Sequence, residues 1–221
     1  MATYAIGDIH GCLRAFDTLL RAVAPGRDDT VVLLGDYVNR GPDARGVIER
    51  ILYLKNETNL VALRGNHDAA MIDARENEKA LGYWLRIGGE ATLASYPGNS
   101  IETIPPDHWD FLVAYCRNWY ETDSRIFVHA TVDPRLDLDQ QTTESMHWVR
   151  LEKDARAHKS GKTVICGHTS QKSGRPLHLG HTTCIDTGCV YGLWLTCLDV
   201  NAGAYRQANE AGSVREGHLG R

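Results

Sequence analysis

No run of apolar residues approaches the roughly 18 needed to cross a bilayer. A basic surplus is also missing: the 221 residues carry 24 Lys and Arg against 28 Asp and Glu. The first absence argues against a membrane protein, and the second against a dedicated nucleic-acid binder. At a formal net charge of -4, any phosphate site must be a local positive feature made by metal ions and a few arginines. Cys-x-x-Cys spacing does not occur among Cys12, Cys116, Cys166, Cys184, Cys189 and Cys197. That leaves no small-domain disulfide framework and predicts reduced thiols. Cys12 follows a polar motif, yet no persuasive base partner would activate it as a nucleophile. The start, Met1-Ala-Thr-Tyr-Ala-Ile-Gly-Asp, has no basic stretch and reads as a buried strand rather than a targeting peptide. Together these features predict a cytoplasmic protein with no membrane or nucleic-acid partner.

What is present is an ordinary globular composition, 43% hydrophobic and 24% charged, in which short apolar runs alternate with amphipathic stretches. Thr3–Ile6 predicts a strand, and Leu13, Phe16, Leu19, Leu20 and Val23 then recur at helical spacing. Val31–Leu34 predicts a second strand, Val47, Ile48, Ile51 and Leu52 a second helix, and Leu60–Leu63 a third strand. This β-α-β-α-β order implies a sheet covered by helices, an α/β fold. Residues 69–120 read as mostly helical, and helical spacing makes Trp84, Trp109, Phe111 and Trp119 packing residues rather than a stacking platform for bases. Strands return at Arg125–Val128, Thr163–Cys166, Thr182–Ile185 and Leu193–Val200. No repeat or linker divides the chain, so 1–208 is expected to be one domain, with 209–221 a polar, flexible tail.

The polar motifs fall at the ends of the strands. Gly7-Asp8-Ile9-His10-Gly11 follows the first, Gly35-Asp36-Tyr37-Val38-Asn39-Arg40-Gly41 the second, and Arg64-Gly65-Asn66-His67-Asp68 the third. His129 follows Arg125–Val128, and Gly167-His168-Thr169 follows Thr163–Cys166. A lone Asp in a turn, or a lone His, is usually structural. Five such loops at five strand ends are not, because ligands in sheets of this kind bind beyond the carboxyl ends of the strands. Mixed imidazole and oxygen donors suit Mn, Fe or Zn better than Ca. Asp36 is the natural anion to bridge two divalent ions. Such a pair polarises a phosphate and activates water, so no protein nucleophile is needed.

These motifs resemble the metallo-dependent phosphoprotein phosphatase family of the calcineurin-like phosphoesterase superfamily. Gly-Asp-x-His-Gly, Gly-Asp-x-Val-Asp-Arg-Gly, Gly-Asn-His-Asp/Glu, a later His and Gly-His-Thr occur in the family's order. Ile185-Asp186-Thr187-Gly188-Cys189-Val190-Tyr191-Gly192 looks like the small bacterial and phage branch. The resemblance covers most of residues 1–200 and implies a two-sheet β-sandwich flanked by helices. It also implies two divalent metal ions, manganese first, with Fe, Zn or Ni as alternatives. Asp8, His10 and Asp36 would hold one ion, and Asp36, Asn66, His129 and His168 the other. Arg40 and Arg150 resemble the phosphate-binding arginines, with Asn66 also at the substrate. His67 resembles the general acid that protonates the leaving alkoxide, whereas Arg64 is expected to be structural.

One departure bears on chemistry. The family's second motif has Asp where this chain has Asn39, and a neutral amide can orient His67 but favours its charged form less. The implied activity is a metal-dependent phosphomonoester hydrolase. It would act on phosphoserine or phosphothreonine of proteins, with phosphotyrosine as an extension, or on another small phosphoester. The second reading is a dinucleoside-tetraphosphate hydrolase. Those relatives tend to be longer, and Gly167 follows His129 by only 38 positions here. A third, motivated by Asn39 alone, is a phosphate-binding module with weakened catalysis.

Overall fold

In the computed structural model, which describes residues 1–220, the first three strands are β1 (Thr3–Ile6), β2 (Thr30–Leu33) and β3 (Asn59–Ala62). Helices α1 (Leu13–Val23) and α2 (Ala44–Leu54) cross between them. Thr3 pairs with Thr30, and Thr30 with Asn59, all in parallel. Ile6, Leu33 and Ala62 therefore end level, and the three loops that follow emerge side by side. A helical stretch comes next: α3 (Asn66–Ala74), α4 (Glu78–Trp84), α5 (Glu90–Ala94) and α6 (Pro106–Asp110). The chain then adds β4 (Trp119–Glu121), β5 (Arg125–Val128), α7 (Thr143–His147), β6 (Thr163–Cys166), β7 (Leu177–His178) and β8 (Thr182–Cys184). It closes with β9 (Leu195–Asp199), β10 (Ala204–Ala208) and β11 (Val214–His218).

Two sheets result, a six-stranded one in the order β11-β10-β9-β1-β2-β3 and a five-stranded one in the order β4-β5-β6-β8-β7. Strand alternation explains why they stack. Ala5, Val32, Leu34 and Leu198 of one sheet meet Phe127, Ile165 and Ile185 of the other in a shared core. Ile6, Val31, Leu33 and Cys197 point the other way, against Phe16, Leu19, Val47 and Ile51 of α1 and α2. Ile126, Val128 and Val164 pack outward under Met146 and Leu151. The two-sheet α/β arrangement implied by the resemblance is thus present. β5, β6 and β8 are parallel, so their carboxyl ends face the same edge of the molecule.

Boundaries differ slightly from the apolar runs. β2 and β3 start and stop one residue early, although Leu34 and Leu63 still donate to Ile6 O and Leu33 O, both at 2.9 Å. Leu193 is a turn residue ahead of β9, because the Gly188–Tyr191 turn takes up the chain there. The larger correction concerns the segment from Asn209, expected to be a flexible tail. It forms a turn and then β11, which pairs antiparallel with β10 from Ala204–His218 to Ala208–Val214. Glu210 in that turn accepts from Ala15 N at 3.0 Å, satisfying a free amide in the first turn of α1. Arg215 stacks on Trp194 at 4.1 Å and donates to Gln207 Oε1 at 2.7 Å. Polarity hid a strand held by partners distant in sequence. Only Arg221 of the expected tail lies outside the described residues. All six cysteines are buried and free, as the absence of a framework predicts.

Candidate metal centre

The parallel strands bring polar residues to one cleft, lined by Asp8, His10, Asp36, Asn66, His67 and His168 with Arg40 and Arg150, while His129, past β5, is fully buried. Tight turns beyond the strands make this possible. His10, Asp36, Asn39, Arg40 and His168 all have positive φ, from 47° to 71°. For residues with a Cβ that conformation costs on the order of 1 kcal/mol each, so backbone strain concentrates where side chains are being aimed. Gly65 shows how tight the fit is: a Cβ there would collide with the carboxylate and backbone N of Asp36. Gly65→Ala should therefore lower Tm by roughly 3–10 °C, from about 1–3 kcal/mol of overpacking, and weaken metal binding. Calorimetry with metal analysis checks this; an unchanged Tm and stoichiometry would refute it.

The orientation of the rings is fixed from behind. His10 Nδ1–H donates to Val38 O at 2.8 Å, His129 Nδ1–H to Leu34 O at 2.8 Å, and His168 Nε2–H to Trp148 O at 3.0 Å. The opposite nitrogen of each ring then presents a lone pair to the cleft. Asn66 Oδ1 faces two of them, His129 Nε2 at 3.1 Å and His168 Nδ1 at 2.9 Å. Asp36 Oδ2 lies 3.4 Å from His10 Nε2 and 3.6 Å from His129 Nε2. Lone pairs that face one another without a proton between them repel. A cation reverses that sign, so the donor set fits divalent metal ions. Two clusters share Asp36, one with His10 and His67 and one with His129 and His168, each with ligand atoms within 4.8 Å of one another.

The electrostatics agree. Burial holds His129 and His168 at about 4, and burial with the Arg40 charge holds His10 at about 3, so all three rings are neutral ligand forms near pH 7. Burial also pushes Asp36 up to about 7 and, helped by Asp186 and Asp36, Asp8 well above the usual carboxylate range. These are desolvated carboxylates that only a positive partner would keep ionised.

Not every predicted residue falls inside the two clusters. Asp8 stands apart from them, its oxygens accepting from His168 N at 3.1 Å each. His67, assigned to acid catalysis, lies within the first cluster. Its Nδ1 accepts from Asn39 Nδ2 at 2.8 Å, and its backbone N donates to Asp36 Oδ1 at 3.0 Å. Arg40 Nη1 donates to His10 Nε2 at 3.0 Å and lies over the Tyr191 ring at 5.8 Å. Arg150 is exposed and also lines the cleft, in a segment tied to the Gly-His-Thr loop by Leu151 N donating to Thr169 Oγ1 at 2.8 Å. Arg64 donates to the carbonyls of Leu112, Val113 and Cys116, which anchors its Nε and Nη2 to the backbone.

The cleft also holds an acidic residue that the sequence motifs do not single out. Asp186, just past β8, is buried and lines the cleft, and burial pushes it up to about 6. The signal was the one used elsewhere, an acidic residue following a strand.

Comparison with known proteins gives the same picture. The profile of the Calcineurin-like phosphoesterase family matches residues 1–191. Serine/threonine-protein phosphatase 1 of Salmonella typhimurium is 28% identical over 211 residues, covering 87% of this chain and 89% of the relative. The symmetrical bis(5'-nucleosyl)-tetraphosphatase of Chromohalobacter salexigens is 27% identical over 273 residues, covering 93% of this chain and 97% of the relative. The crystal structure of a candidate diadenosine tetraphosphatase shares the fold, with a TM-score of 0.68 and 22% identity over 98% of this chain and 92% of that one.

Proposed function

The chain belongs to the calcineurin-like phosphoesterase family, and from that premise we propose that it is a protein phosphatase acting on phosphoserine and phosphothreonine, with phosphotyrosine as a further substrate. Asp8, His10 and Asp36 would hold one metal ion, and Asp36, Asn66, His129 and His168 a second. Manganese is the first choice for a set of imidazole and oxygen donors without thiolate. The chemistry such ions supply is polarisation of the ester and a water nucleophile available at neutral pH.

The protein's own groups do the rest. Arg40 and Arg150 orient the phosphate oxygens with their guanidinium forks and offset the charge that develops as the bond to the leaving group breaks. Asn66 contributes its amide at the phosphate. His67 faces the leaving oxygen, and Asn39 fixes its ring.

The observation that carries the protein-phosphatase reading is the brevity of the segment between His129 and Gly167, 38 residues apart. It is filled by α7, the Trp148–Arg150 wall and surface turns. The tetraphosphatase relative aligns over 273 residues, more than the 221 of this chain, and so carries segments that this chain lacks.

A second reading, hydrolysis of a dinucleoside tetraphosphate, draws on the cleft rim. Tyr83, Trp148 and Tyr191 line the cleft while 41%, 40% and 61% exposed, and flat exposed rings can stack a base. Assays with Mn²⁺ against a phosphoserine peptide and diadenosine tetraphosphate separate the two. The protein-phosphatase reading expects kcat/KM for the peptide to be higher by about tenfold or more, a difference of about 1.4 kcal/mol in transition-state binding. The opposite order overturns it.

A further inference from the structure

His147 is 1% exposed, and neither ring nitrogen has a hydrogen-bond partner. Buried polar groups are rarely left so, and an orphan of this kind calls for an explanation. The ring lines a cavity of about 320 Å³ together with Arg64, Asn118 and Thr143, over the small side chains Ala69 and Ala80. Tyr83 and Trp148 wall both this cavity and the metal cleft, so the two are neighbours across one pair of aromatic side chains. Trp148 O accepts from His168, which joins that wall to the proposed metal ligands.

The lining offers hydrogen-bond donors and one cation, Arg64. Burial above all, with the Arg64 charge adding to it, holds His147 down at about 4, leaving a neutral ring with one N–H to donate. Arg64 spends its Nε and Nη2 on backbone carbonyls, while its Nη1 has no partner among the described residues. Asn118 and Thr143 add an amide and a hydroxyl. Asp73, the one acidic group lining the cavity, is exposed.

We propose that this cavity is a second substrate subsite, taking an acidic group, either a carboxylate or a further phosphate, carried beside the scissile phosphate. The inference rests on the phosphoprotein reading above. A donor-rich pocket behind the aromatic wall would select phosphorylated residues with an acidic neighbour, because an oxyanion satisfies groups that a neutral side chain leaves unpaired.

The test uses phosphoserine peptides identical but for one neighbour, Gln, Glu or a second phosphoserine, moved through the nearest positions on either side. At one position the acidic neighbour should raise kcat/KM about tenfold over Gln, and His147→Leu should erase that ratio. A gain with Glu alone identifies a carboxylate, and one with phosphoserine alone a phosphate. No preference at any position, or a ratio that survives in His147→Leu, overturns the subsite.

A second measurement covers a variant that does not fold and peptides that are not turned over. In ¹⁵N-histidine-labelled wild type loaded with Mg²⁺, succinate should shift the His147 ring resonances and succinamide should not. Inorganic phosphate is the parallel probe for the phosphate arm. Peptides left intact while either shift occurs count against the phosphoprotein reading alone; the absence of both shifts overturns the subsite.

Discussion

Asp36→Asn should lower phosphate release from nitrophenyl phosphate by about a thousandfold or more and cost the protein at least one of two bound ions. The size follows from what one carboxylate does. Oδ2 stands between the lone pairs of His10 and His129, and Asp36 is the only residue common to both clusters. An amide has no charge to share, and removing a single preorganised electrostatic partner typically costs 10²–10³-fold, roughly, in rate. Here the loss would be compounded by failure to assemble the water-activating pair. Activity with added Mn²⁺ and metal content after dialysis check it, and an Asn variant within tenfold of wild type would sink the bridging role.

The same substitution should act in the opposite direction on the metal-free fold. Burial raises Asp36 to about 7, so its ionised form is disfavoured in the native state. That penalty is absent below the unfolded value of about 4, grows as pH rises through about 7, and is complete above it. Metal-free Asp36→Asn should therefore melt a few degrees above metal-free wild type at about pH 8, with the gap closing toward about pH 4. Loss of activity with a gain in Tm distinguishes a functional carboxylate from a structural one.

The parts of the site that were legible in sequence are those written locally. β5 and β6 were read residue for residue, since a polar residue or glycine bounds each apolar run, and the Gly-flanked Asp, Asn and His that follow the strands identify themselves by position. The lone-pair geometry was not legible. It depends on which carbonyl stands behind each ring, and Leu34 O reaches His129 across 95 positions of sequence. β11 was missed because Val214-Arg-Glu-Gly-His has no alternating apolar face; its order comes from pairing with β10 and from Arg215 on Trp194. Asp186 carried the right signal but sat in a segment read only for its resemblance. His147 carried none, because an unpartnered buried nitrogen is a property of packing.

Asn39→Asp should raise kcat on a phosphoserine peptide by about tenfold to a hundredfold while changing nitrophenyl phosphate turnover by less than about threefold. Asn39 is fully buried at φ 71°, a left-handed conformation that Asp tolerates as Asn does, so the backbone need not move. Its Oδ1 accepts from Thr92 Oγ1 at 3.2 Å, and its backbone N donates to the same oxygen at 2.8 Å. With Oδ1 so engaged, the amide turns its N–H toward His67 Nδ1. A ring that accepts at Nδ1 carries its proton on Nε2 and is neutral, and a neutral imidazole N–H is a hydrogen-bond donor rather than a useful acid. Burial, with the Arg40 charge adding to it, already holds His67 far below the ordinary histidine range. A carboxylate at position 39 would instead accept from Nδ1–H and favour imidazolium, the form that can protonate a departing alkoxide. Thr92 can still donate to the second carboxylate oxygen. Nitrophenolate leaves without help and so reports the metal and arginine chemistry alone, which makes the ratio of the two gains the decisive number. An equal gain on both substrates, or none on the peptide, would show that proton delivery to the leaving group does not run through His67.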